Sequence, residues 1–401
     1  MRKILFLFVG LTGLLHASLF MEPQYSDDIK VLQTLDIESS FLRDPIFVKL
    51  KNSLSTKRRN FFLSMLNRGA LYIPTLRKMI HDNNIPQVFL YMAMAESHFN
   101  TSAISNAKAC GLWQFMPDTA RRYGLKIDRY IDERRDPIRS TEAAITYLKR
   151  LYALFGKWYL AALAYNTGEG RVLEAIKKAG SDELHVLLDE DKKYLPRENR
   201  NYIRKIVSLA LVANNTDVYF FGGEPHMFNR TEGRSLVRVK VSGGETLEHI
   251  ARQIGMTAKE LKRLNPQFKY WFTPPEKSVS INIPYNKLTR FKEAYHPGEQ
   301  KKMFLVHTVK PGENLRYIAK RYGISYKIIL GFNRIKKSII YPNQKLIIPV
   351  PRGSIQHYKV RRGDSLEKIA KRFGIQVATL KARNGLEKSR LKIGEHLVIP
   401  N

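Results

Sequence analysis

Tyr91-Met92-Ala93-Met94-Ala95-Glu96-Ser97-His98-Phe99 sets one carboxylate into an apolar stretch, and further on the chain reads Gly111-Leu112-Trp113-Gln114-Phe115-Met116-Pro117. Upstream, Asn84-Ile85-Pro86 predicts a helix start, with Pro86 in the first turn, where its missing N–H does no harm. On such a helix Met92 and Ala93 share the face of Glu96, and Phe99 follows on it if the helix continues. An apolar shell disfavours the charged form of a carboxylate and raises its pKa. A carboxyl that keeps its proton at neutral pH can give it to a leaving oxygen. From these residues alone, a helix-end Glu paired with a nearby Arg or Lys is an equally good reading.

The wider pattern separates the two readings. Glu96-Ser97, then Ser105, then Gly111-Leu112-Trp113-Gln114-Phe115-Met116-Pro117-Asp118-Thr119-Ala120, then Ala164-Tyr165-Asn166-Thr167-Gly168-Glu169-Gly170-Arg171 follow in that order. Four linked motifs are far more specific than one short one. Over roughly residues 75–215 the chain resembles the catalytic domain of the family 1 (Slt-type) lytic transglycosylases. The resemblance implies an α-helical, goose-type lysozyme-like fold. It also implies cleavage of the β-1,4 bond between N-acetylmuramic acid and N-acetylglucosamine without water, the muramic C6 hydroxyl attacking C1 to leave a 1,6-anhydro end.

Most glycosidases need two carboxylates. The resemblance implies that Glu96 does both jobs in turn, as acid to the glycosidic oxygen and then as base to the C6 hydroxyl. An intramolecular nucleophile has a high effective concentration, so no second carboxylate has to activate water. By motif, Tyr165 would hydrogen-bond and orient Glu96. Ser105, Gln114 and Asn166 would contact sugar or N-acetyl groups, and Met116 would line the groove. Glu198 and Tyr202, in Glu198-Asn199-Arg200-Asn201-Tyr202, match a late family motif near the site and the stem peptide. Packing accounts for Met116 and Tyr202 nearly as well. No cofactor or metal is implied, and the histidines show no ligand spacing; His98 reads as incidental. Two other classes stay open. A lysozyme-type hydrolase would need a second placed carboxylate, and Asp118 and Asp136 are both more naturally helix caps. A non-catalytic wall-binding protein would have no use for Glu96.

The first residues of the chain predict its setting. Met1-Arg2-Lys3, apolar Ile4 to Leu15 and small Ala17-Ser18 predict a secretory signal over residues 1–18, hence a periplasmic enzyme. The apolar run is too short for a good membrane span. Membrane-bound members of the family that the chain resembles are often lipid-anchored through a Cys just after the signal. Here the one cysteine is Cys110, so a soluble exported form is expected, and Cys110 reads as a small packed residue. The net charge is +32. Residues 236–401 hold 34 Lys and Arg against 11 Asp and Glu, a net +23. So basic a surface suits an acidic polymer. Export argues against nucleic acid, whereas peptidoglycan glycan strands carry carboxylates on their stem peptides.

Residues 19–75 predict a helical extension and 76–215 the catalytic domain, with Asp136 capping a helix through Leu151. A polar linker is expected over 216–235. Then a repeat appears. His307 to Ala319 aligns with Tyr358 to Ala370; each continues through Lys-Arg-aromatic-Gly-Ile, then an Asn (Asn333, Asn384), then a run ending at Pro349 or Pro400. A fainter copy begins at Val239 and passes Asn265 to Pro284, with a Tyr270-Trp271-Phe272-Thr273-Pro274-Pro275 insertion. Each reads strand, helix, helix, strand. The units resemble LysM modules, which bind N-acetylglucosamine-containing glycans. Small α+β modules are thus expected at 236–285, 303–350 and 356–401, with a basic flexible connection over 286–302.

Overall fold

The structure, a computed structural model, describes residues 23–214, 235–275, 278–300, 302–335, 338–351, 355–384, 386 and 391–400. The expected signal (1–18) and almost all of the expected linker at 216–235 lie outside the described residues. Among the described residues, no helix is long and apolar enough to cross a membrane. Two compact units are present: residues up to Leu125 together with Arg134 onward to Asn214, and Lys126–Glu133 together with the chain from Ser235.

The first unit is helical: α1 (Pro23–Gln33), α2 (Pro45–Ser55), α3 (Arg59–Gly69), α4 (Ile73–Asp82), α5 (Leu90–Ser97), α6 (Pro117–Arg122), α7 (Pro137–Phe155), α8 (Trp158–Thr167), α9 (Glu169–Ala179), α10 (Leu184–Leu187) and α11 (Arg197–Asn214). Two of these are apolar on every face. Leu90 to Ala95 of α5 and Tyr159 to Ala164 of α8 are all buried, as expected of helices surrounded by protein. Helix α11 packs on α2, α5 and α8. Its buried guanidiniums are paired: Arg204 with Asp44 (2.8 Å) and Glu190 (2.7 Å), Arg200 with Glu190 (2.6 Å). Asp44 also caps α2, accepting from the Phe47 N–H at 2.8 Å. One carboxylate thus starts α2 and fixes it against α11, so the N-terminal helices are integral to the unit.

Of four local expectations, one is met and three are not. Asp136 does cap α7, accepting from the N–H groups of Ile138 and Arg139 at 2.9 and 3.2 Å. Asp118 caps nothing; α6 starts after Met116, without a side-chain cap bond, and Asp118 pairs instead with Arg121 at 3.0 Å. Pro86 opens a 3₁₀ turn, Gln87–Phe89, and the α-helix begins only at Leu90. At the other end α5 stops after Ser97, because His98 and Phe99 both take left-handed conformations (φ 54° and 55°). Phe99 is therefore off the helix. It is buried beside Tyr72, whose hydroxyl donates to the Phe99 carbonyl.

The second unit holds three antiparallel strand pairs, each enclosing two helices. The first module is β1 (Leu236–Ser242), α12 (Leu247–Gln253), α13 (Ala258–Leu264) and β2 (Ser278–Pro284), with Leu236 opposite Pro284 and Ser242 opposite Ser278. Helix α14 (Leu288–Ala294) follows. The second is β3 (Lys302–Thr308), α15 (Leu315–Tyr322), α16 (Tyr326–Asn333) and β4 (Lys345–Pro351); the third is β5 (Ile355–Lys359), α17 (Leu366–Arg372), α18 (Val377–Asn384) and β6 (His396–Pro400). The repeated Asn has one structural task in all three. Asn333 Nδ2 donates to the carbonyls of Ile329 and Ile347 (2.8 Å each), and its Oδ1 accepts from the Ile347 N–H at 2.7 Å. Asn384 repeats this with Leu380 and Val398, Asn265 with Leu261 and Asn282. One amide side chain thus joins the second helix to the returning strand and satisfies buried backbone groups.

The expected flexible connection at 286–302 is packed over its first part, where α14 lies. Phe291 and Tyr295 are buried in the first module's core, and the Tyr295 hydroxyl donates to buried Glu245 at 2.9 Å. The segment Lys126–Glu133, expected in the catalytic domain, groups with the second unit, where Ile131 joins that same core.

Candidate active site

Both all-apolar helices end at the site. Glu96 is the penultimate residue of α5, and Tyr165 and Asn166 lie in the last turn of α8. A buried apolar helix places its final polar residues with little freedom, which is what a reactive group needs.

Glu96 is half-buried, and the five residues before it are buried. Burial pushes its pKa up to about 7; the Tyr202 hydroxyl and the Lys205 charge oppose this and Glu198 adds to it. Tyr202, on α11, donates its O–H to Glu96 Oε1 at 2.6 Å. This is the bond expected of Tyr165, and the expectation is corrected here. The Tyr165 hydroxyl donates instead to the Trp113 carbonyl at 2.8 Å. Burial raises the pKa of both phenols well above normal, and the Glu96 charge raises each further. Lys205 donates to the carbonyl of Ala95, next to Glu96, at 2.5 Å.

The Gly111 loop is built around the same centre. Trp113 is fully buried, its indole N–H donates to Thr141 Oγ1 at 2.8 Å, and its ring meets Tyr165 edge-on. Gly111 has φ +83°, and a Cβ there would lie 1.8 Å from the Arg134 carbonyl oxygen. Glycine is obligatory at that position on both counts. Gln114 also holds a left-handed conformation (φ 47°), and its Nε2 donates to the Gly111 carbonyl at 2.8 Å. Strain of that kind gathers where the surroundings fix a functional geometry.

The other expected site residues fall into three groups. Ser105 Oγ accepts from the Ala109 N–H at 3.0 Å, so it shapes the loop that leads to Gly111. Asn166 Oδ1 accepts from Asn199 Nδ2 at 2.6 Å, which ties the end of α8 to α11. Met116 is 44% exposed and Glu198 is exposed on the first turn of α11. Cys110 is buried. Ser97, whose hydroxyl donates to the Ala93 carbonyl at 2.9 Å, is held within α5. Lys205 was not among the sequence candidates; its spacing of three from Tyr202 on one helix was the available signal.

The raised Glu96 pKa has a stability consequence. Below about 4.5, folded and unfolded chains both hold the proton and the group costs nothing. Between there and about 7 the folded state alone keeps it, so this contribution to stability falls as pH rises. Above about 7 the full cost of a buried carboxylate applies, on the order of 3 kcal/mol. Glu96→Gln is therefore expected to raise the melting temperature at pH 8 and leave it nearly unchanged at pH 4. A variant no more stable than wild type at pH 8 contradicts the elevated pKa.

The chain has recognisable relatives among known proteins. A transglycosylase SLT domain model matches residues 76–187, a LysM domain model matches 307–349 and 358–400, and the model described as lytic transglycosylase MltD, LysM-like domain, matches 235–300. The membrane-bound lytic murein transglycosylase D of Escherichia coli (strain K12) is 30% identical over 367 residues, covering 86% of this chain and 79% of that protein. A putative tributyltin chloride resistance protein of Alteromonas sp. (strain M-1) is 40% identical over 110 residues, 27% of this chain and 53% of that one. Among solved structures, the 70 kDa soluble lytic transglycosylase of Escherichia coli aligns with 24% identity and a TM-score of 0.30, over 40% of this chain and 26% of that one. The first unit has the helical, lysozyme-like SLT fold, the second carries LysM modules, and the chain belongs to the lytic murein transglycosylase D family.

Proposed function

We propose that this lytic transglycosylase cleaves the β-1,4 bond between N-acetylmuramic acid and N-acetylglucosamine with Glu96 as its one acid and base. The observation that carries the reading is a carboxyl at the end of a buried apolar helix, with its pKa near neutrality and a phenol donating to it. Protonated Glu96 gives its proton to the glycosidic oxygen as the C1–O bond breaks. The carboxylate left behind is held by the Tyr202 O–H. It then takes the proton of the muramic C6 hydroxyl as that oxygen bonds to C1, and the acid is restored. Electron pairs and protons balance with no water consumed.

Tyr165 holds the Gly111 loop through the Trp113 carbonyl. In this reading Gln114, Ser105 and Asn166 set the loop walls against which sugar and N-acetyl groups lie, with Met116 and Glu198 toward solvent. The substrate and the expected export signal support a periplasmic site of action, and the relative's name supports an envelope setting. The test is product chemistry. Muropeptides released from purified sacculi are expected to end in 1,6-anhydromuramic acid and to resist borohydride. Borohydride-reducible ends would make the enzyme a hydrolase.

The modules divide in their surfaces. The turn between first strand and first helix is buried in the first module, at Gly243–Glu245, and exposed in the others, at Lys310–Gly312 and Arg361–Gly363. In the first module the Tyr270–Pro275 insertion folds back on that turn. The Leu247 N–H donates to the Trp271 carbonyl and the Thr273 N–H to the Glu245 carbonyl, at 2.9 and 2.8 Å. The last two modules are therefore proposed as the glycan binders and the first as a structural unit. The isolated segment 303–401 is expected to sediment with sacculi and to be competed off by chitin oligomers in high salt. Release by salt alone, with no competition by glycan, would reduce the modules to basic spacers.

A further inference from the structure

We propose that a cavity beside the catalytic helix, walled by α2, α3 and α11, binds the carboxylates of the peptide arms of the wall polymer. The inference takes the position of the substrate from the reading of Glu96 given above, and it adds a site for the part of the polymer that is not cleaved.

The cavity has a volume of about 520 Å³, within the range of small-ligand sites. Its floor is apolar: Leu54, Met65 and Leu209 are buried there. Phe61 packs edge-on against the His98 ring, with centroids 5.2 Å apart. Over this floor stand Lys49, Arg58, His98 and Lys205, and no Asp or Glu is among the lining residues. The Arg58 guanidinium lies over the Phe61 ring, 5.2 Å from its centroid.

The electrostatics agree with the geometry. His98 is held below its ordinary pKa by burial and by the charges of Lys205, Arg68 and Arg58. Lys205 is lowered by burial, Glu96 opposing and Arg58 reinforcing. Lys49, Arg58 and Lys205 gathered at an apolar floor create a local positive potential, and an anion on an aliphatic stem relieves it. The occupant is named by charge and by place. Two lining residues tie the cavity to the reacting carboxyl: His98 lies two residues after Glu96, and Lys205 donates to the carbonyl of Ala95, the residue before it. The peptide arms spring from the muramic ring at the bond that Glu96 cleaves, and they carry both carboxylates and aliphatic side chains. An anionic lipid fits the charge but has no reason to lie beside the reacting carboxyl.

The probe is the free tetrapeptide arm of a diaminopimelate-type wall, titrated calorimetrically into the full chain. Binding needs no turnover, so this result is independent of the catalytic reading. Wild type is expected to bind, and the Lys49→Glu, Arg58→Glu double variant to bind at least about tenfold more weakly, the size of a lost charge-assisted contact. The same charge reversals at Lys177 and Lys178, on α9, are expected to leave binding in place. Both cavity positions are exposed, and an unchanged melting curve verifies the fold. On glycan, the cavity variant is expected to lose about tenfold on peptide-bearing strands and nothing on strands stripped of peptide. No tetrapeptide binding by wild type, equal binding by the cavity variant, or equal weakening by the α9 control overturns the proposal. So does binding of phosphatidylglycerol vesicles through Lys49 and Arg58 with none of the tetrapeptide. Tetrapeptide binding lost in the cavity variant, with no glycan cleaved by any form, upholds this site and overturns the catalytic reading alone.

Discussion

Glu96→Gln protein is expected to release no muropeptides from purified sacculi, a loss of about 10³-fold or more, while it binds sacculi as wild type does. The amide still accepts the Tyr202 hydrogen bond, so the geometry at the end of α5 persists. It has no proton to give the glycosidic oxygen, and no carboxylate forms to take the C6 proton. A single acid or base contributes about 10²–10⁴, and here one group serves both steps. Release at near wild-type rate would remove Glu96 from the mechanism.

Tyr202→Phe is expected to lower turnover about 10²-fold, in the range of one lost preorganised donor, and to move the pH profile in a definite direction. The Tyr202 O–H stabilises the ionised form of Glu96 and so lowers its pKa against the larger effect of burial. Without it the carboxyl holds its proton to a higher pH, and the alkaline limb of the rate profile, set by loss of the acid form, moves up from about 7. Turnover falls even so, because the carboxylate that must receive the C6 proton has lost its stabilising donor. Packing alone would lower the rate without moving the limb, so an unmoved limb returns Tyr202 to a packing role.

The parts of the site that the sequence displayed are those carried by short segments. Glu96 in its apolar run, the Gly111 loop, and Tyr165-Asn166 at the end of an apolar helix are each local. The module repeats are local too, and the shared Asn was visible before its bonds were. Hidden from the sequence were pairings across distance. Tyr202 lies 106 residues from Glu96, and nothing in either neighbourhood says which phenol reaches the carboxyl. Tyr165 was the natural choice by motif; its partner is the Trp113 carbonyl, a backbone group with no sequence signature. Helix α14 did carry a signal, since Leu288, Phe291 and Tyr295 are spaced for one helix face, but it lies among basic residues that read as a linker. The basic cavity had none, because its walls come from α2, α3, α11 and the residue after α5.

The claim that one carboxyl is kept protonated near neutrality by its surroundings is tested most directly by titrating it. Carbon-13 NMR of glutamate-labelled protein, with Glu96 assigned by the resonance missing from Glu96→Gln, gives its pKa without substrate. The account predicts a midpoint of about 7. A midpoint near 4.5, the ordinary value for the side chain, would contradict it.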